Sequence, residues 1–317
     1  MLAVVLALAS AIGYGGSDFA AGLASRRAGI IQVNLLASAV STVAVTAALL
    51  FAGTHRPTAA ALAWGAGAGL GGFAGGLALY LGFRQAAFSV AGPLSAVGAA
   101  GFSVLAGLLF GERPTTLALT GIVLALPAIV AVSASAAGAD RGDAPDGAAE
   151  ARGGEPGVAG GEPRARGGER AGSGARRRSA AGVVAGLIAG AGFALLFIGL
   201  DRAGSGSGLW PVAAASVVEL AAALGAGAVT GNVRLPAGRP RWLAVITGAA
   251  GALGTILYFL ATHQGFLAVT AVLTSLYPAV TIVLARTVLG ERLTGPRLAG
   301  LALAAACVAL IAVGGAG

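Results

Sequence analysis

Apolar runs of about twenty residues, each long enough to cross a bilayer core as a helix, recur along almost the whole chain with short breaks between them. They are read over Leu2–Leu23, Ile31–Ala52, Ala60–Gly82, Phe88–Phe110 and Thr115–Ala136. After a gap come Ala180–Leu200, Leu209–Thr230, Trp242–Ala261, Phe266–Leu289 and Leu293–Gly314. Turn and helix-stop residues separate several of them, as at Gly53 to Pro57, Gly204 to Gly208 and Pro236 to Pro240. Charged residues make up 10% of the chain, against about a quarter in a soluble protein, too few to cover a water-facing surface. The expected class is therefore an all-α, multi-pass membrane protein with ten transmembrane helices. No basic region precedes the first span and Arg26-Arg27 follow it, the reverse of a cleaved signal peptide, so that span is read as a mature helix.

The net charge of +8 invites a nucleic-acid reading. Its distribution argues against one, because the basic residues are all Arg and stand at span ends, in short loops or in one central segment. That segment, Ala137 to Ser179, is rich in Asp, Glu, Arg, Gly and Pro, with Val158 its only large apolar residue. It cannot bury enough apolar surface to offset its ordering entropy and is expected to be a disordered linker. The organisation predicted is thus a five-helix unit over 1–136, the linker over 137–179 and a second five-helix unit over 180–317.

The two units repeat. Gly111-Glu112-Arg113-Pro114-Thr115 closes the fourth span and Gly290-Glu291-Arg292-Leu293-Thr294 closes the ninth. In that register Gln85 falls on Gln264, Val90 on Val269, Leu94 on Leu273, Ala100 on Ala279, Val104-Leu105-Ala106 on Val283-Leu284-Ala285 and Gly121 on Gly300. The first two spans of each unit align much more weakly. Five is odd, so the second copy enters the membrane in the opposite sense, giving two inverted repeats, an architecture of secondary transporters with the binding site between the repeats.

The five-plus-five layout, the paired Gly-Glu-Arg-x-Thr segments and Gly16-Ser17-Asp18-Phe19 in the first span resemble the EamA-like family of the drug/metabolite transporter superfamily. The resemblance covers nearly the whole chain except the linker, whose length and Arg content depart from it. It implies a central cavity enclosed by both halves, peripheral fifth and tenth spans, and export of amino acids, related metabolites or drugs.

Gly67-Ala68-Gly69-Leu70-Gly71-Gly72 matches a dinucleotide-binding pattern, but it lies inside an apolar span rather than between strand and helix, so close helix packing is expected. Gly248, Gly251 and Gly254, and Gly182, Gly186 and Gly190, repeat that small-residue spacing. Glu112 and Glu291 sit at span boundaries and are read as polar caps. Glu219 lies near the centre of the seventh span, where an unpaired carboxylate costs on the order of 3 kcal/mol. It is a cavity and proton-coupling candidate, with an ion pair to Arg286 as the structural alternative. Asp18 lies about a turn inside the end of the first span and either lines the cavity or pairs with Arg26 or Arg27. Pro93 and Pro278 break the hydrogen-bond ladders of the fourth and ninth spans. Ser95, Ser103, Thr270, Thr274, Ser275 and Tyr277 add hydroxyls there, for a polar substrate or for bonds to their own helices. Tyr14, Tyr80, Phe193 and Tyr258 are candidates for an aromatic wall.

His55, His263 and the single Cys307 form no cluster, so neither a metal nor a cofactor is expected, and no nucleophile–base pair suggests an enzyme. The function expected is small-molecule export by alternating access. The alternatives are an uptake carrier, a lipid-precursor flippase, or a sensor or scaffold acting through the linker. Expected partners are membrane lipids and a small-molecule substrate, with a homodimer left open and nucleic acid excluded. The location expected is the plasma membrane. Counting Arg residues places the linker in the cytoplasm and the termini outside, whereas the family resemblance implies cytoplasmic termini.

Overall fold

A computed structural model describes residues 1–52, 56–85, 88–139, 165–289 and 295–314. Among these the chain is all helix. In order come α1 (Leu2–Ser25), α2 (Ile30–Phe51), α3 (Ala59–Gln85), α4 (Phe88–Leu109), α5 (Thr116–Ala139), α6 (Ala165–Arg202), α7 (Trp210–Val229), α8 (Arg239–Thr262), α9 (Leu267–Thr274), α10 (Tyr277–Leu289) and α11 (Gly295–Gly314). Among the described residues seven stretches are long and apolar enough to cross a membrane: α1, α2, Ala59–Leu79, Val184–Arg202, α7, α8 and Leu267–Val288. Ser95–Leu109 and Thr116–Pro127 are shorter apolar helices.

Ala, Leu and Val keep these segments helical, and Pro211 and Pro240 sit at the first turns of α7 and α8, where a missing N–H costs nothing. The outward faces carry Val5 and Ile12 on α1, Val217 and Leu224 on α7, and Ile246, Leu253 and Leu260 on α8. Spaced by seven residues, they form apolar stripes that suit lipid and would be costly in water.

Two expectations change. The ninth span is not one helix: α9 ends at Thr274 and α10 starts at Tyr277, with Ser275 and Leu276 in a turn. Pro278 has no N–H to bond the Thr274 carbonyl, and the chain re-nucleates with the Ala279 N–H donating to the Leu276 carbonyl at 2.9 Å. The backbone of α4, by contrast, runs on through Pro93. The second change is at the linker, where α5 extends to Ala139 and α6 begins at Ala165, so part of the expected disordered segment has a helical backbone. The remainder, 140–164, lies outside the described residues, as do His55 and the Gly290–Thr294 segment.

Helices pair across the two halves of the sequence. α1 packs along α8, and α3 along α6; α4 also packs on α6, α2 on α7 and α8, and α5 on α11. Glycines set the closest of these seams. A Cβ at Gly13 would stand 2.8 Å from the Gly254 nitrogen, and one at Gly192 would stand 2.6 Å from the Gly75 nitrogen. The register that sets Gln85 on Gln264 also sets Gly13 on Gly192, Gly75 on Gly254 and Tyr14 on Phe193. Tyr14 packs on Gly254 and Phe193 on Gly75. Gly69 meets the Ala215 carbonyl of α7, and its counterpart Gly248 meets the Ala37 carbonyl of α2. The Gly-x-Gly-x-x-Gly run is thus a packing seam in α3.

Candidate functional site

Six helices each turn one stripe toward a shared cavity. α2 supplies Asn34, Ser38, Ser41 and Val45, a polar-to-apolar stripe at spacings of three and four residues, as one helix face requires. α7 supplies Val212, Ser216 and Glu219, α1 supplies Tyr14, Ser17 and Asp18, and α8 supplies Thr247, Gly248, Gly251 and Thr255. Gly72, Gly76 and Leu79 of α3 and Phe193 and Leu196 of α6 complete the wall. A Cβ at Gly76 would meet nothing within 4 Å, so this glycine leaves open space rather than admitting a neighbour. The cavity offers about 130 Å³ to the centres of water molecules, room for several waters or a small organic molecule.

Most of the lining hydroxyls are engaged. The Tyr14 and Thr255 hydroxyls share a hydrogen bond of 3.0 Å, and Ser17 donates to the Thr247 carbonyl at 2.9 Å. Ser216 donates to the Ala213 carbonyl at 3.0 Å. Ser38 is the exception: it is 2% exposed, and its Oγ has no hydrogen-bond partner of good geometry, although it lies close enough to the Glu219 carboxyl to interact with it.

Glu219 is the tenth residue of the 20-residue α7, halfway along the helix. Arg286, the cation considered as its structural partner, stands exposed on α10, and the group acting on the carboxyl is Ser38. Arg26 and Arg27 are likewise exposed beyond the end of α1, about 12 Å along the helix from Asp18. Both carboxylates therefore face the cavity without a basic side chain among its described lining residues.

The structure brings Tyr14, Asp18, Glu219 and Phe193 together and leaves the other candidates elsewhere. Ser95 and Tyr277 are buried, with their hydroxyls 3.5 Å apart. Ser103 is buried with an unpartnered Oγ, as is Ser275. Thr270 donates back to the Phe266 carbonyl at 3.0 Å, and Thr274 donates to the Ala7 carbonyl of α1 at 3.4 Å. Pro278 serves the α9–α10 break. The hydroxyls of Ser95, Ser103, Thr270, Thr274, Ser275 and Tyr277 thus lie outside the lining of this cavity. Of Pro93 and Tyr80 only the backbone is described.

One end of the bundle is held shut by contacts between α4 or α6 on one side and α8 or α9 on the other. Tyr258 stacks on Phe197 with ring centroids 4.4 Å apart and donates to the Phe197 carbonyl at 3.3 Å. Thr262 donates to Asp201 Oδ1 at 2.6 Å, while within the α4–α6 side the Arg202 guanidinium lies 4.6 Å from the centre of the Phe110 ring. Gly111, at φ 92°, turns the chain so that Glu112 reaches the start of α9. There its carboxylate accepts from the Leu267 N–H at 2.5 Å and the Ala268 N–H at 2.9 Å. The cap expected of Glu112 is present, but on a helix far away in sequence. Partial burial pushes the Glu112 carboxyl above its usual range, against the lowering effect of those two N–H groups.

Residues 1–134 match the EamA-like transporter family. The EamA-like family is part of the drug/metabolite transporter superfamily, so the resemblance carried by Gly16–Phe19 and Gly111–Thr115 stands, and the chain is a multi-pass membrane protein of transporter type. No curated protein matches it. Among the solved structures, one described only as the crystal structure of a protein shares the fold, with a TM-score of 0.72 at 15% identity over 98% of both chains.

The residues that sequence reasoning missed are Ser17, Asn34, Ser38, Ser41, Ser216, Thr247 and Thr255. Their signal was there: Asn34, Ser38 and Ser41 are polar residues sharing one face of a span with mean hydropathy 1.9.

Proposed function

We propose that this protein is a secondary carrier that exports a small metabolite, amino acid or drug across the plasma membrane by alternating access, with ten crossings arranged as two inverted five-helix repeats. The observation that carries the reading is the carboxylate of Glu219, halfway through the bilayer-length helix α7 and facing a polar cavity without a basic partner. A charge at that depth is retained where it serves a pathway or relay. The repeat reading is supported by the exchange symmetry of the packing: α1 on α8 mirrors α6 on α3, down to Gly13–Gly254 and Gly192–Gly75. The rocking units are then not the two sequence halves. One comprises α1, α2, α8, α9 and α10, and the other α3, α4, α6 and α7. The Tyr258–Phe197, Thr262–Asp201 and Glu112–α9 contacts join these units at one end, where a gate would close, in addition to the packing of α2 on α7.

Glu219 is the coupling group in this proposal. Protonation and substrate binding at one carboxylate are mutually exclusive, which converts a proton gradient into uphill movement of the substrate. Comparing metabolite accumulation in cells lacking the gene and in cells overexpressing it identifies the substrate. Glu219→Gln keeps the shape and removes the titration. The variant should insert at normal yield and lose gradient-driven transport, and full retention of that transport would end the coupling proposal.

A further inference from the structure

The charge balance of the cavity points to what it takes. Asp18 and Glu219 enter it from α1 and α7, and among the described residues the other four helices bring no cation: Asn34, Ser38 and Ser41 come from α2, Thr247 and Thr255 from α8, and only apolar residues or Gly from α3 and α6. Every ionisable group in the described lining (Tyr14, Asp18 and Glu219) can carry only negative charge or none. The repeat does not impose this. In the register of α2 and α7 that sets Ala37 on Ala215 and Ser38 on Ser216, the counterpart of Glu219 is Ser41, and in the register that sets Tyr14 on Phe193 the counterpart of Asp18 is Phe197. Neither acid thus has an acidic counterpart in the repeat.

A second, independent feature points to a ligand. The Ser38 Oγ, 2% exposed, lines the same cavity beside the Glu219 carboxyl without a hydrogen-bond partner of good geometry, and a buried hydroxyl in that state gains when a ligand supplies a well-aligned partner. The same lining includes Tyr14, Phe193, Leu79 and Leu196, which suit an apolar body and, through the two rings, a cation beside it.

We propose that the cavity binds a small organic amine in its protonated form, the ammonium lying between Asp18 and Glu219 and donating an N–H to Ser38, with the hydrocarbon part against Tyr14 and Phe193. This rests on the carrier reading and names its substrate class. An anion would meet two carboxylates. A bare inorganic cation would leave the apolar wall unused.

The test measures binding to the full chain in lipid nanodiscs by calorimetry. The probes are ethylammonium, cyclohexylammonium and 2-phenylethylammonium, the neutral 2-phenylethanol, the anion phenylacetate, zwitterionic phenylalanine and Na⁺. The proposal expects at least one ammonium to bind tenfold or more tightly than the alcohol, the anion, the zwitterion and Na⁺. Asp18→Asn and Glu219→Gln should each weaken that binding at least tenfold, and Ser38→Ala by a smaller factor. Unchanged protection of the buried Cys307 from thiol reagents shows that the variants are folded. Preference for any of the other probes, equal binding by the variants, or no ammonium binding at all overturns the proposal. Labelling of Ser41→Cys by a water-soluble thiol reagent separates the two readings. A labelled cavity with no ammonium preference sinks the substrate class and leaves the carrier, whereas an unlabelled one sinks both.

Discussion

Adding a single methyl group at Gly192 should loosen the protein, while the same change at Gly16 should not. In Gly192→Ala the new Cβ would stand 2.6 Å from the Gly75 nitrogen and 2.7 Å from both the Gly71 oxygen and the Gly75 Cα. All three are backbone atoms of α3, so no side chain can swing aside. Carbon contacts settle at about 3.5–4.0 Å, so α6 and α3 must separate by roughly 1 Å along their most extensive seam. Overpacking of this kind costs about 1–3 kcal/mol. Against it stands a gain of about 0.5–1 kcal/mol from replacing Gly by Ala inside a helix. The net loss is about 0–2.5 kcal/mol, in the upper half of that range because the clash is backbone on backbone. At Gly16 a Cβ meets nothing within 4 Å, so only the gain remains. The single, buried Cys307 provides the assay: a thiol-reactive dye reports unfolding as the temperature is raised. Gly192→Ala should lower the labelling midpoint by several degrees, and Gly13→Ala, its partner in the α1–α8 seam, should do the same. Gly16→Ala should leave the midpoint unchanged or raise it. Equal midpoints for Gly192→Ala and Gly16→Ala would refute the seam argument.

Other consequences can be measured directly. Gly76→Ala, in open space beside the cavity, should retain the parental labelling midpoint yet reduce substrate affinity. Glu112→Ala removes the acceptor for two N–H groups at the start of α9 and should speed hydrogen exchange at Leu267 and Ala268 by about tenfold, a charge-assisted pair at a half-exposed site being discounted to about 1–1.5 kcal/mol; no change would remove it as a cap. Because burial holds the Glu112 carboxyl above its unfolded value, its contribution to stability is full below the unfolded pKa and is lost as pH rises through the folded one. Glu112→Gln should accordingly flatten the pH dependence of stability over that window, and an unaltered slope would contradict the burial argument. Replacing 140–164 by a short Gly/Ser segment should preserve insertion and transport, since closure entropy grows only logarithmically with loop length, and loss of membrane-integrated protein would show that this segment has a structural role.

The membrane-helix class was legible because length and hydropathy are properties of single segments: the ends of α1, α2 and α7 fall within a few residues of those read from the sequence. The break at Pro278 was legible as chemistry, since a missing N–H acts locally, and so was the depth of Glu219. What could not be read was which polar residues share a space. Thr270 and Thr274 carry the same hydroxyl as Thr247 and Thr255, and only the packing of α1 against α8 decides that one pair bonds to helix backbone away from the cavity and the other lines it. The weak alignment of the first spans hid a register that the backbone contacts make plain, because Gly13 and Gly192 are held by proximity to Gly254 and Gly75, while their neighbours need only be apolar. The Asn34-Ser38-Ser41 stripe was the signal overlooked: polar residues on one face of an apolar span point to a hydrated partner, and tracing periodicity in polar residues would have found it.

Access to Ser41→Cys, measured in a Cys307→Ala background with an impermeant thiol reagent applied to each side of the membrane in turn, tests alternating access most directly. A second protein carries in addition Asp201→Cys and Thr262→Cys, joined by a bifunctional thiosulfonate before labelling, so that the closed end of the bundle stays closed. The carrier account predicts reaction from both sides without the cross-link, and from only the side opposite the Asp201–Thr262 contact with it. Reaction from one side alone in both proteins would mean a fixed pocket rather than a carrier, and would contradict the account.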